Sequence, residues 1–411
     1  MGGRDGAQSA TGSVGAKSLL TGRVVSPGGV VEDGAVVLDG DRIAWVGPRA
    51  DLAAMPGATA DAVTPPGWRD GCTLLPGLVD VHCHGGAGGE FGADLEPARA
   101  AARHHLVHGT TSVIGSLVSA PGATLLAGVQ ALAALVRDGD LAGIHLEGPF
   151  LSVARCGAQD PTALTDPDPA LVETLAQAAH GALTQMTFAP ERRGADQLIR
   201  SLARLGVLAS VGHTDADATV ARLALDRALQ ASPRGDRPLV THVFNGMPPM
   251  HHRSPGPVAA ALGAAARGDA VLEVVGDGVH LDAETVRMLF EVVGPDSLAL
   301  VTDAMAASGM PSGRYSLGGR EVLVEGRIAR LAAGGAIAGG VATLLEVVRW
   351  CVDEVGVPLG DAVRAASRTP AQVMGWGDRG ALAVGARADV LVVDDALDPV
   401  SVMRRGSWVE A

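Results

Sequence analysis

Lysine is almost missing from this chain: Lys17 is the only one, and every other basic side chain besides histidine is arginine. Basic residues are also outnumbered, 32 against 45 acidic ones, for a net charge of −13. That balance argues against nucleic acid or an anionic membrane surface as partner, and an anionic small molecule would need a local basic site set against the field. Cysteine is scarce too. Cys72, Cys83, Cys156 and Cys351 form no C-x-x-C pair, so no disulfide framework is expected and a reducing, cytoplasmic setting is. No uninterrupted apolar run is long enough to cross a bilayer. Met1 to Gly15 is rich in Gly, Ser and Ala and lacks the apolar core of a signal peptide, so residues 1–16 read as a disordered tail.

What is present is a globular composition, 47% hydrophobic and 19% charged over 411 residues, enough for one large domain and a smaller one. From Ser18 to about Cys72, short β-branched runs alternate with turn signals such as Ser26-Pro27-Gly28-Gly29 and Asp39-Gly40-Asp41. The same pattern returns in Ala388–Asp394 and Ser407-Trp408-Val409. Each end alone is too little sheet to be stable. Residues 17–75 and 376–411 are therefore expected to meet in one small β-sandwich.

Between them the rhythm changes. Strand-like runs cover Leu78–His84, Thr110–Val118, Leu141–Gly148, Leu183–Pro190, Leu208–Thr214, Leu239–Asn245, Val271–His280 and Leu298–Met305. Helical periods cover Asp94–Val107, Thr124–Arg137, Pro169–Ala179, Asp196–Leu205, Asp215–Leu229 and Ala283–Val293. This α/β alternation predicts a (β/α)8 TIM barrel over residues 76–375. An open doubly wound sheet is the rival, but no Gly-rich dinucleotide turn follows the first strand. Met310–Gly335 reads as a Gly-rich hairpin insertion with strands at Tyr315–Leu317 and Glu321–Val324, and helix resumes over Leu344–Val355 and Leu359–Met374.

Barrel chemistry sits at the C-terminal ends of the strands. There the predicted strands carry His82 and His84, then His145 and Glu147, His213, His242 and Asn245, Asp277 and His280, and Asp303. A bare H-x-H, or a lone His or Glu after an apolar run, is usually a solvated loop residue. Their gathering at six strand ends of one barrel points instead to a metal site. Imidazoles with a carboxylate suit zinc or iron and leave positions open for water. Such an ion brings the pKa of bound water to around 7, and a carboxylate beside it can move the proton. Asp303, on the last strand, is the candidate for that task. Cys83 faces away from the two histidines and reads as packing.

These residues resemble the amidohydrolase superfamily and, within it, the N-acetylglucosamine-6-phosphate deacetylases. The resemblance rests on Pro76–Gly85, Thr110–Val113, His145-Leu146-Glu147-Gly148-Pro149-Phe150, Gly212-His213-Thr214, Thr241–Pro248, His251–Gly256, Asp277–His280 and Val301–Ala304. It implies a metal-dependent hydrolase releasing acetate from N-acetyl-D-glucosamine 6-phosphate. Glu147, His213 and His242 would bind the main metal, His82 and His84 a second one with Glu147 shared, and Asp303 would be general base and acid. The resemblance further assigns His280 to substrate and developing oxyanion, Asn245 and Gly246 to the sugar or phosphate side, and the backbone of Ile337, Ala338 and Gly339 to the pocket. Arg253 would grip phosphate in the neighbouring subunit's site, which implies a homodimer or higher homo-oligomer. The cofactor expected is a divalent ion, zinc or else iron, one or two per subunit.

Two features refine this. Relatives of the dihydroorotase kind bridge two metals with a carboxylated barrel lysine; Lys17 lies outside the barrel, so a bridging carboxylate has to be Glu147. The loop after Glu147 reads Arg155-Cys156-Gly157-Ala158-Gln159-Asp160-Pro161 where the family pattern is K-G-A-H-N-P. Gln159 thus replaces a substrate-binding histidine; it can hydrogen-bond a hydroxyl or phosphate but carries no charge. The galactosamine epimer or another N-acyl compound is the alternative substrate, and a catalytically silent barrel used for assembly is the alternative from another class.

Overall fold

The computed structural model describes residues 17–54, 60–232 and 235–410; the tail expected over residues 1–16 lies outside them. Eight strands, β1 Leu78–Cys83, β2 Thr110–Val118, β3 Gly143–Glu147, β4 Leu183–Phe188, β5 Leu208–Val211, β6 Leu239–Val240, β7 Val271–Val274 and β8 Leu298–Leu300, pair in chain order. All their ladders are parallel. The chain beyond β8 closes the ring against β1, with Asp303 N donating to His82 O at 2.9 Å and His84 N to Ala304 O at 2.7 Å. Helices α1 Leu95–Val107, α2 Gly122–Asp138, α3 Pro169–Ala178, α4 Ala195–Leu205, α5 Ala218–Ala231, α6 Gly256–Ala266, α7 Ala283–Val292 and α8 Leu344–Trp350 follow the strands. Local chemistry starts and stops them. Asp168, Asp217 and Asp282 cap α3, α5 and α7 through side-chain oxygens that accept the first free N–H groups, and Gly139 and Gly206 end α2 and α4 with left-handed backbone.

Two departures from the sequence pattern have physical causes. Helix α6 was not among the predicted helices, because Gly256–Ala266 is nearly all small and apolar and shows no polar face. Several strands stop short of their predicted ends: β6 ends at Val240 rather than Asn245, β7 at Val274 rather than His280, and β8 at Leu300 rather than Met305. The segments past β5, β6 and β8 turn out of the ladder through left-handed backbone, with φ of 47° at His213, 26° at His242, 78° at Phe244 and 47° at Asp303, values no strand residue adopts.

The barrel interior is layered. Its floor is apolar: Val79, Val81, Ile114, Leu208, Leu239, Val271, Ala299 and Val301 pack with Ala371, Val373 and Met374, which belong to or flank the closing helix Arg368–Val373. Above the floor lies a polar belt, and above that the mouth. Over the mouth folds the insertion, which has three antiparallel strands, Gly313–Leu317, Arg320–Glu325 and Ile328–Leu331, one more than the sequence suggested.

Both chain ends enter one further sheet. Thr73–Pro76 pairs with Val390–Val393 on one side and Ser18–Ser26 on the other. This is a single hydrogen-bonded sheet rolled on itself: Ile43 N donates to Ala386 O and Gly385 N to Ile43 O, both at 2.8 Å. Leu20, Val24, Val36, Leu74, Val390 and Met403 fill the roll.

Candidate active site

The site is built first by a slip in β1. Val79 and Val81 face the apolar floor, so regular alternation would send Cys83 inward next. The register shifts between Asp80 and Cys83, and this bulge turns His82 and His84 inward instead. Cys83 then faces α1, its Sγ 3.2 Å from His105 Nε2.

Six predicted residues, His82, His84, Glu147, His213, His242 and Asp303, converge at the mouth, all buried. Glu147 lies at the centre. Its Oε1 is 3.0 Å from His213 Nε2 and 2.9 Å from His242 Nε2, and its Oε2 is 3.2 Å from His84 Nε2. Asp303 Oδ1 is 3.2 Å from His84 Nε2 and 3.4 Å from His82 Nε2. Two ligand groups share the glutamate: His82, His84 and Glu147, and Glu147, His213 and His242, the ligand atoms of each lying within 4.8 Å of one another.

The hydrogen bonds behind the rings show what this cluster is made to hold. His82 Nδ1 faces the Glu273 carboxylate at 2.8 Å, His84 Nδ1 the Ser116 carbonyl at 3.2 Å, and His213 Nδ1 the Arg155 carbonyl at 2.8 Å. Those oxygens only accept, so each Nδ1 carries the proton and, in the neutral ring, Nε2 presents a lone pair. Yet His82 Nε2 and His84 Nε2 stand 3.1 Å apart, and His213 Nε2 and His242 Nε2 3.2 Å apart. The facing lone pairs of His82 and His84 repel at that distance unless a cation lies between them. Protons can serve. Burial opposes the charge on His84, but its bonds to Asp303 and Glu147 carry its pKa up to about 9. Burial likewise opposes ionisation of Glu147, and the charges of His213 and His82 nonetheless hold it well below the ordinary range. A divalent ion fits the same place, since neutral imidazoles with an ionised carboxylate are its usual donors.

Sequence reading missed the belt beneath. Glu273, fully buried on β7, orients His82 and also accepts from His242 N at 3.3 Å. His145, named only as a strand-end residue, bonds Ser116 Oγ at 2.9 Å and Thr187 Oγ1 at 2.8 Å, and Thr187 continues to Thr241 at 2.7 Å. Burial drives the His145 pKa well below its ordinary value, so the ring is neutral. The signal was available in part: Glu273 is a lone carboxylate inside Val271-Leu272-Glu273-Val274-Val275.

The remaining predicted residues divide. His280, Gln159, Asn245, Gly246, Ile337 and Gly339 line the same cavity as Glu147 and Asp303, with Leu317 of the insertion. His280 Nδ1 is held by Asp277 at 2.9 Å. Ala338 is buried behind the wall, its N–H donating to Ala329 O at 3.0 Å. Arg253 is exposed on the loop before α6, 2.8 Å from His252 Nε2, and is not among the lining residues. Among the described residues no lysine or arginine lines the cavity.

A profile of the amidohydrolase family matches residues 73–409. The chain belongs to the amidohydrolase family. This amidohydrolase is 32% identical over 343 residues to the N-acetylglucosamine-6-phosphate deacetylase of Bacillus subtilis (strain 168), with 81% of this chain and 84% of that one covered. It is 33% identical over 344 residues to the N-acetylgalactosamine-6-phosphate deacetylase of Escherichia coli O157:H7, covering 82% and 88%. Among solved structures, a mutant N-acetyl-D-glucosamine-6-phosphate deacetylase from Mycobacterium smegmatis in complex with N-acetyl-D-glucosamine-6-phosphate superposes on this amidohydrolase with a TM-score of 0.87. The identity is 39%, and 97% of this chain and 100% of that chain are covered.

Proposed function

We propose that this amidohydrolase removes the acetyl group of N-acetyl-D-glucosamine 6-phosphate, giving D-glucosamine 6-phosphate and acetate. The observation that carries the reading is Glu147 shared between two histidine pairs, with Asp303 within 3.4 Å of one of them. His213, His242 and Glu147 would hold one divalent ion and His82, His84 and Glu147 a second, zinc or iron by the donor set. When bound, such an ion acidifies water and polarises the acyl carbonyl.

The side chains do the rest. Burial raises the pKa of Asp303, but the charge of His82 and the hydrogen bond from His84 more than reverse this and keep it ionised. Asp303 therefore accepts the proton of the attacking water and returns it to the sugar nitrogen, so that the amine leaves protonated. Nδ1 of His280 donates to Asp277, whose charge favours the protonated ring, so that Nε2–H can donate to the acyl oxygen as charge develops there. Asn245 and Gly246, with the backbone of Ile337 and Gly339, form the wall against which the sugar lies.

Among the described residues no lysine or arginine lines this cavity to meet a phosphate. That supports a homodimer in which Arg253 of one subunit reaches the other's substrate, where a guanidinium can grip two phosphate oxygens. The four cysteines are free, which supports a cytoplasmic location, and among the described residues no helix is long and apolar enough to cross a membrane.

The test pairs metal analysis of the purified protein with acetate release from the 6-phosphates of N-acetylglucosamine and N-acetylgalactosamine and from both unphosphorylated sugars. Bound divalent metal and preference for the glucosamine phosphate are expected. Preference for the galactosamine phosphate, the activity named in the Escherichia coli relative, would transfer the assignment to the epimer. Equal rates with and without phosphate would remove Arg253 from the site.

A further inference from the structure

Gln159 occupies a place where the family pattern has a substrate-binding histidine, yet both ends of its amide are engaged inside the protein. Its side chain is buried in the loop after β3, with Oε1 accepting from Ser119 N at 2.7 Å and Nε2 donating to Glu147 Oε2 at 2.5 Å. The loop is gripped from the opposite side by the insertion, where Arg320 Nη1 donates to Ala158 O at 3.2 Å and Gln159 O at 3.0 Å. Ser119 also fixes the strand end, its Oγ donating to Glu147 O at 2.9 Å.

The consequence falls on the carboxylate. Torsion about the last bond of a glutamate is broad, so the plane of its oxygens is set by partners and not by intrinsic preference. Here Oε1 faces His213 and His242, with His82 Nε2 farther off at 3.7 Å, and Oε2 faces His84 and Gln159. An amide supplies a hydrogen bond without adding charge, so the carboxylate keeps its full charge for cations. An imidazolium in the same place would compete with them.

We propose that Gln159 is a positioning residue that sets the plane of the Glu147 carboxylate, turning Oε2 toward His84, where it would be offered to an ion held by the His82–His84 pair. In this chain it thereby ties the His82–His84 ion to the insertion through Arg320. The proposal rests on the reading of Glu147 as a shared ligand.

The test titrates metal-free protein with Zn²⁺ against a chromophoric chelator, alongside kcat and KM for acetate release. Wild type, Gln159→Leu and His84→Ala are compared with the double variant, and Gln159→Met stands in if the leucine variant melts early. Wild type is expected to bind two ions. In Gln159→Leu one of the two should weaken by about 10–100-fold, the range for losing an outer partner of a ligand. The other ion should hold within about threefold, with kcat falling and KM within about twofold of wild type. In the His84→Ala background, Gln159→Leu should change metal binding no further, because the two act on the same ion. A several-fold rise in KM with an unchanged isotherm would overturn the proposal and return Gln159 to substrate contact. Unchanged isotherm and kinetics would overturn it as well, as would a wild type that binds one ion. A wild type that binds none would overturn the reading of the site along with it.

Discussion

Asp303 and His280 enter one cavity with opposite charge habits, each imposed by neighbours. Asp303 stays ionised because buried histidines surround it, which suits a group that must begin by accepting a proton. Asp303→Asn keeps the shape and loses the base. Its kcat should fall by about 10²–10⁴ while bound metal stays near wild-type stoichiometry; full activity with metal bound would sink the mechanism. His280 depends on one partner. Burial pulls its pKa down, but the hydrogen bond and charge of Asp277 raise it above the ordinary value. Without Asp277 the largest upward pull is gone, and burial and the charge of His82 act against that of Asp303 alone. Asp277→Asn should therefore move the basic limb of the profile of kcat/KM against pH to lower pH, if charged His280 assists. The sign for stability is the same. A raised histidine stabilises the fold fully below its unfolded pKa, and that contribution is lost as pH rises through the folded value.

At the scale of elements, the site depends on places where regular structure is broken. Without the slip in β1, His82 and His84 would point at α1, and without left-handed backbone His213, His242 and Asp303 would follow their strands outward. The end of β8 is held from behind by the segment after the insertion. Gly340 N donates to Asp303 O at 2.7 Å, and a Cβ on Gly340 would lie 2.4 Å from Thr302 O. Gly340→Ala must shift that backbone. It should lower stability by about 1–3 kcal/mol and reduce kcat through Asp303, read from denaturant melts and steady-state kinetics. Loss of stability with unchanged kcat would show that Asp303 tolerates the shift.

Across the whole molecule, the rolled sheet and the barrel are joined by a buried ion pair. Arg387 and Asp389 bond each other; Arg387 Nη2 donates to Ser112 Oγ at 3.1 Å, and Asp389 accepts from Thr111 Oγ1 at 3.1 Å and Arg405 N at 2.9 Å. Both residues are at most 4% exposed. Removing one partner strands a charge in the interior. Asp389→Ala should cost about 3–5 kcal/mol and leave kcat per folded molecule unchanged, since the joint is at the start of β2 and the site at the far ends of the strands. A variant as stable as wild type would show that water or another group satisfies Arg387.

The alternation of apolar strands with helical periods determined the barrel, and the ligand-type residues at its strand ends determined where chemistry would gather, because both are local patterns of period and composition. Helix α6 escaped because small apolar residues show no period, and Glu273 because one carboxylate in a strand looks like an exception until its neighbours are known. Tertiary structure alone decided the rest. It decided which way β1 slips, which nitrogen of His82, His84 and His213 is free, that Ala338 and Arg253 do not line the cavity, and that Gln159 faces Glu147. Each depends on atoms far apart in the chain meeting within hydrogen-bond distance, and spacing along a sequence carries no information about that.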